Sequence, residues 1–283
     1  MDVGDLTPLE QTALLTEYAR ALDSRQSPSI LGDPYAERTV AGIDFDFDSL
    51  GVIPSVRCLV ALRARMLDER IGGFIEGHPD AVVVDLGAGL SSVVHRVDPP
   101  PTVDWYSVDL PAVITLREAL LPSRPGSHSV AASVAEPGWA ESIPADRPTM
   151  VVADGLIAFL TEPVVIAMLR RVTEHFGGGV VAFNDYGPVN RANQLAGKAI
   201  TAGKQMLRPG GASNSPHNQW NFPGFKDAHH PEIWNPQLTL VEEASVMRDP
   251  GAAMFPPLLR LSSAMAAFVP AIARKARILQ YRF

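Results

Sequence analysis

A chain of 283 residues, 46% of them hydrophobic, has the apolar side chains for one large α/β domain or two small ones, which excludes an intrinsically disordered protein. The formal charge of −7 comes without a basic block, so neither a nucleic acid nor an acidic membrane surface finds an electrostatic footprint. A single cysteine, Cys58, excludes an intramolecular disulfide, suits a reducing compartment and sets a cytoplasmic location as the expectation.

The first residues, Met1-Asp2-Val3-Gly4-Asp5, lack the basic and then apolar pattern of a secretory signal. Thr7-Pro8-Leu9-Glu10 reads as a helix start, with Thr7 as cap, Pro8 in the first turn and Glu10 closing a capping box. A second helix is expected near Ser55 to Phe74, where Leu59, Leu62, Met66 and Ile71 recur at helical spacings. Cys58 falls on this helix among apolar residues, so its role is packing. Residues 1–78 therefore read as an N-terminal helical cap.

The pattern changes at Ala81. Ala81-Val82-Val83-Val84 is a short apolar run ending in Asp85 and glycines, as a buried parallel strand feeding a tight turn should look. Similar runs at Val103–Val108, Thr149–Ala153 and Val180–Phe183 alternate with helical patterns at Pro111–Leu121 and Thr161–Phe176, the latter with Thr161 as expected cap. This alternation predicts an α/β fold, a doubly wound and mostly parallel sheet, over residues 79–283. From about 188 to 236 the periodicity is lost among Gly, Pro, Asn and His, which reads as a lid or substrate insertion. A strand candidate, Leu238–Val246, and a terminal one, Ile278–Phe283, close the chain. Between them Ala264–Ala273, interrupted by Pro270, is too short for the roughly 20 residues of a membrane span and is expected to be a buried helix.

The residues that carry chemistry follow the first strand. Asp85-Leu86-Gly87-Ala88-Gly89-Leu90 lets backbone approach a ligand at a helix start, although the third glycine of the dinucleotide fingerprint is replaced by Ser92. Asp109 follows the next strand, where a carboxylate can accept hydrogen bonds from both ribose hydroxyls of a nucleoside. Together they point to an adenosyl-type ligand. The plainer reading is that Gly87 and Gly89 only make a turn while Asp109 caps the helix at Pro111.

The run Val82 to Leu90, then Trp105-Tyr106-Ser107-Val108-Asp109-Leu110-Pro111 and Ala132-Ser133-Val134-Ala135-Glu136-Pro137-Gly138-Trp139, resembles the leucine carboxyl methyltransferase superfamily, in particular its bacterial branch of tetracenomycin-type polyketide O-methyltransferases. Val152 to Leu160, the terminal Ile278 to Phe283, and upstream Ala19 to Arg25, Asp33-Pro34-Tyr35-Ala36, Arg63 and Asp68 extend the resemblance over nearly the whole chain. It implies a class I methyltransferase-like, Rossmann-like fold, S-adenosyl-L-methionine as cofactor, S-adenosyl-L-homocysteine as product, and a small-molecule acceptor. By resemblance Arg63 meets the methionyl carboxylate, and Asp85, Gly87, Ala88 and Gly89 form the loop the cofactor passes. Asp109 and Leu110 hold the ribose side, Ser133 and Val134 border the adenine, and Asp154 pairs with the ammonium group. Ser91, Val93, Glu136 and Asp154 depart from the family pattern, which more often has Asp, Arg, Asp and Glu there.

An acceptor carboxylate is ionised at neutral pH, whereas a phenol needs a base. His217, His229 and Tyr186 are the candidates for a catalytic role, and a solvated loop histidine is the plainer reading of the first two. His229-His230 lacks the spacing of a metal site, and no metal is expected. Trp220, Phe222 and Phe225 suit either an aromatic substrate wall or a local core. Carboxyl methylation of a polyketide-like or aromatic metabolite is the leading expectation. Phenolic O-methylation, a non-catalytic adenosyl-ligand-binding protein and a nicotinamide-dependent oxidoreductase stay open, as does the oligomeric state.

Overall fold

The computed structural model describes residues 3–4, 6–187, 220–269, 273–274 and 276–283. Five parallel strands, β1 (Val82–Leu86), β2 (Asp104–Asp109), β3 (Ser127–Ala131), β4 (Thr149–Ala153) and β5 (Gly179–Asp185), join β6 (Thr239–Ser245) and β7 (Arg277–Arg282) in one sheet. Its order is β3-β2-β1-β4-β5-β7-β6, with β7 antiparallel to both neighbours. This is the class I methyltransferase fold. The winding reverses between β1 and β4, and in open α/β sheets ligands bind at the carboxyl ends of the strands flanking that point.

Central strands buried on both faces need apolar residues at every position. All five residues of β1 are buried. Val82, Val84 and Leu86 face the cluster that holds Val165, Met168, Leu169 and Val172 of the helix Glu162–His175, while Val83 faces Met66, Leu67 and Ile71 of the long helix Pro54–Gly77. Cys58 is buried in that second cluster, as its packing role predicts.

In chain order the described helices are α1 (Thr12–Ser24), α2 (Ala36–Ala41), α3 (Pro54–Gly77), α4 (Val93–Val97), α5 (Pro111–Leu120), α6 (Glu162–His175), α7 (His230–Trp234) and α8 (Pro257–Ala267). The capping box forms: Thr7 N–H and Oγ1 donate to Glu10 Oε2 at 2.7 and 2.6 Å, and Glu10 N–H donates back at 3.4 Å. It closes a turn, and regular helix begins only at Thr12. Thr161 occupies the cap position of α6 without a side-chain capping bond.

One strand leaves no signal in the sequence, and one expectation is corrected. The strand β3 was not visible as an apolar run because Ser-His-Ser-Val-Ala is a half-exposed edge strand, paired on one side only. The stretch from Ala264 is not a buried helix. α8 ends at Ala267 and turns Ser263 and Leu259 inward, leaving Leu258 (85%) and Phe268 (86%) exposed. Apolar composition gives a helix but not the face that is covered. Among the described residues no helix is long and apolar enough to cross a membrane. Residues 188–219 of the expected insertion lie outside the described residues, and its last part carries α7.

A buried ion cluster ties the N-terminal segment to the sheet. Arg96 of α4 pairs with Asp33 at 2.8 Å and with Asp68 of α3 at 2.7 Å. The other oxygen of Asp33 accepts from Ser92 Oγ at 2.6 Å and from Tyr35 N–H at 2.9 Å. Nearby Glu17 and Arg20 pair at 2.6 Å. Burial works against the charge of Asp33, but Arg96 and Arg20 outweigh it and hold the carboxyl below its ordinary pKa. Glu17 is pushed up to about 6 by burial. Removing one partner of a buried ion pair strands the other charge. Arg96→Leu should therefore destabilise the fold by about 3–5 kcal/mol in urea unfolding, and a loss under about 1 kcal/mol would mean that the cluster contributes little.

Candidate active site

At the switch point the chain leaves β1 through Asp85-Leu86-Gly87-Ala88-Gly89. Gly87 and Gly89 have φ of +66° and +53°, in the left-handed region that side chains other than glycine rarely adopt. Gly87 N–H donates to Val108 O at 2.8 Å. Arg117 of α5, buried, donates to the carbonyls of Gly89 and Ser91 at 3.2 and 2.5 Å. The loop is thus gripped from both sides.

Asp109 closes β2 beside it. Its Oδ2 accepts from Gly89 N–H and its Oδ1 from Leu110 N–H, both at 2.7 Å. Each carboxylate oxygen keeps a further lone pair, so Asp109 can still take the two hydroxyls of a ribose. Burial raises its pKa, opposed by these two hydrogen bonds. Asp85 lies deeper. Burial, only partly offset by Arg117, pushes its pKa to about 7, and its Oδ2 has no hydrogen-bond partner among the described residues.

Arg63 comes from the middle of α3 and is 6% exposed. Its Nε pairs with Asp154 Oδ1 at 2.5 Å, and its Nη1 donates to the hydroxyl of Tyr186 at 2.5 Å. Burial acts against the guanidinium charge, but Asp154 and Tyr186 outweigh it and raise its pKa. Nη2 makes no hydrogen bond among the described residues. Asp154, expected to meet an ammonium group, is ion-paired with Arg63 here, and Asp85 Oδ2 and Asp154 Oδ1 are both buried without a hydrogen bond among the described residues.

These groups line one cavity of about 740 Å³, within the ~300–1,000 Å³ of small-molecule sites. Arg63, Asp85, Gly87, Ala88, Gly89, Asp109, Leu110, Ser133, Val134, Asp154 and Tyr186 are all on its wall. The rest of the wall is mostly apolar, from Leu50, Val52, Ile53, Val56 and Leu59 on one side to Phe159, Leu160, Trp220 and Met247 on the other. The turn before α1 adds Leu9 and Glu10, and the start of α1 adds Ala13 and Thr16. Two buried polar atoms of opposite character, Asp85 Oδ2 and Arg63 Nη2, fit a zwitterionic amino-acid group, and Asp109 fits a ribose. The residues present therefore suit an adenosyl amino acid.

His229 is not on this wall. Its side chain is 65% exposed and pairs with Glu232 at 2.7 Å, so it is a surface residue rather than a base at the cavity. His217 lies outside the described residues. The three aromatic residues divide. Phe222 and Phe225 are buried in the core with Phe183 and Trp234, whereas Trp220 lines the cavity and stacks on Tyr186 with ring centroids 4.4 Å apart. Arg117 escaped sequence reading because nothing in its neighbourhood marks a residue that acts by holding the carbonyls of another loop.

The family model for leucine carboxyl methyltransferase matches residues 13–173. The chain is 37% identical over 278 residues to the tetracenomycin polyketide synthesis O-methyltransferase TcmP of Streptomyces glaucescens, covering 98% of each chain. It is 32% identical over 186 residues to the S-adenosyl-L-methionine-dependent methyltransferase dpfgK of Gibberella zeae, covering 60% of this chain and 62% of the relative. Among solved structures, a DUF574 family protein from Streptomyces avermitilis superposes with a TM-score of 0.54 at 16% identity, over 95% of this chain and 99% of the other. That likeness shows the fold alone.

The position of Asp85 has a measurable consequence. A carboxyl whose folded pKa lies near 7 binds more protons folded than unfolded between about pH 4 and 7, so its ionisation lowers stability as the pH rises through that window. Asp85→Asn removes the ionisation. The variant's stability relative to the parent should rise by up to about 4 kcal/mol between pH 4 and pH 8, as read by urea unfolding. A difference that does not change with pH would contradict the burial of this charge.

Proposed function

Because the chain belongs to the leucine carboxyl methyltransferase family and is an S-adenosyl-L-methionine-dependent methyltransferase, we propose that it methylates an oxygen, in the first place a carboxylate, of a flat, polyketide-like or aromatic small molecule. The observation that carries this reading is the continuity of one cavity from the glycine turn and Asp109 to an apolar wall with the stacked Tyr186–Trp220 pair. The O-methyltransferase role of the Streptomyces relative in polyketide synthesis supports the acceptor class, and the family's carboxyl chemistry supports a carboxyl group.

In this reading Asp109, with Leu110 beside it, holds the ribose, Gly87, Ala88 and Gly89 let the cofactor pass against backbone, and Ser133 and Val134 border the adenine. Arg63 takes the methionyl carboxylate through Nη2. Asp85, with its unpartnered oxygen, takes the ammonium, with Asp154 as the neighbouring charge that keeps Arg63 in place. When bound, the cofactor supplies an activated methyl group on a sulfonium. The chain's own task is to hold the acceptor oxygen in line with it and to keep water out. Residues 1–78 act as a cap whose α1 and α3 supply part of the wall. An ionised carboxylate, with an ordinary pKa near 4, needs no proton removed, whereas a phenol near 10 does.

The two acceptor chemistries differ in their products. Incubation with labelled S-adenosylmethionine and a panel of aromatic acids and phenols should give a methyl product that releases methanol in mild alkali, as an ester does. An alkali-stable product formed only from phenols would replace the carboxyl reading with the ether-forming one.

A further inference from the structure

Tyr186 is the first residue after β5, and the described chain resumes on the same wall at Trp220. Trp220 is held from its C-terminal side, since the N–H groups of Asn221 and Phe222 donate to Ala158 O at 2.9 and 3.1 Å and the Asn221 amide donates to Phe159 O at 2.9 Å. Its indole lies nearly parallel to the Tyr186 ring, at 20°. The rings therefore form a supported part of the wall.

The hydroxyl of Tyr186 has a direction. A guanidinium carries donors only, so in the 2.5 Å contact Arg63 donates and the phenol oxygen accepts. The phenol's own proton is not used in that bond, and among the described residues the Tyr186 hydroxyl donates to none. A hydroxyl that accepts from a cation is polarised into a better donor.

Resting on the carboxylate reading above, we propose that Tyr186 positions the methyl acceptor. Its O–H donates to one oxygen of the acceptor carboxylate, which leaves the other oxygen for the methyl group, while Trp220 bounds the acceptor's ring system. Arg63 then serves two ligands: it holds the cofactor through Nη2 and sharpens the donor that holds the acceptor through Nη1.

The test uses the intact chain loaded with S-adenosylhomocysteine and titrated calorimetrically with 2-naphthoate and with its neutral analogue 2-naphthamide. Tyr186→Phe keeps the ring and its stack on Trp220 and removes only the hydroxyl. It should bind 2-naphthoate about tenfold more weakly, bind 2-naphthamide less than about threefold more weakly, and keep its affinity for S-adenosylhomocysteine within about threefold, as the loss of one charge-assisted hydrogen bond predicts. In turnover the KM for the acceptor should rise more than kcat falls. Equal affinity of parent and variant for 2-naphthoate, whether tight or undetectable, overturns the assignment. So does a loss of S-adenosylhomocysteine affinity as large as that for naphthoate, which would make Tyr186 a prop for Arg63. An alkali-stable methyl product alongside an intact tenfold difference would sink the carboxyl reading and leave the Tyr186 contact standing.

Discussion

The cavity exists because Arg96 is held between two acids from different parts of the chain. Asp33 belongs to the segment that leads into α2, Asp68 to α3, and Arg96 to the helix that follows the glycine turn. None of the three would be buried alone at tolerable cost, and together they fix the N-terminal helices over the carboxyl end of β1. With that roof in place, Ala13 of α1 lies against Gly89 and α3 delivers Arg63 to the same space.

Beneath the roof, one turn does two jobs. Gly87 and Gly89 let the chain reverse direction, and the same bend presents backbone to Asp109 and Arg117, which lock it. A locked turn is a preorganised one, so a ligand arriving there does not have to order the loop. The site's charges are similarly arranged in advance. Arg63 is anchored by Asp154 and Tyr186 with one nitrogen left over, and Asp85 is buried with one oxygen left over. Both remainders belong to polar groups that a zwitterion would satisfy.

How much of this is legible in the sequence follows from what kind of signal each residue leaves. Central strands such as β1 and β4 are buried on both faces and stand out as unbroken apolar runs, and the glycine turn and Asp109 stand out because they directly follow such runs. The edge strand β3 has one half-exposed face and leaves no run. α8 leaves an apolar signature that is misleading, because the helix turns Leu259 and Ser263 inward while Leu258, Leu261 and Met265 stay exposed. Pairings across long separations are invisible in one dimension: Tyr186 meets Arg63 across 123 positions, and Arg277 meets Asp185 across 92. The histidine at 229 reads most plainly as a solvated loop residue, and it lies on the surface. The structure pairs it with Glu232, and no described histidine is on the cavity wall.

The central claim is that the glycine turn and Asp109 hold the adenosyl cofactor. The measurement that bears on it most directly is calorimetric titration of the chain and of Asp109→Ala with S-adenosylhomocysteine, run beside NAD. Micromolar binding to the parent, at least tenfold weaker binding to the variant, and none of NAD to either is the predicted result, a tenfold loss being the size of one good ribose hydrogen bond to a carboxylate. Equal affinity of parent and variant for S-adenosylhomocysteine would contradict the account, because the ribose would then be held somewhere else.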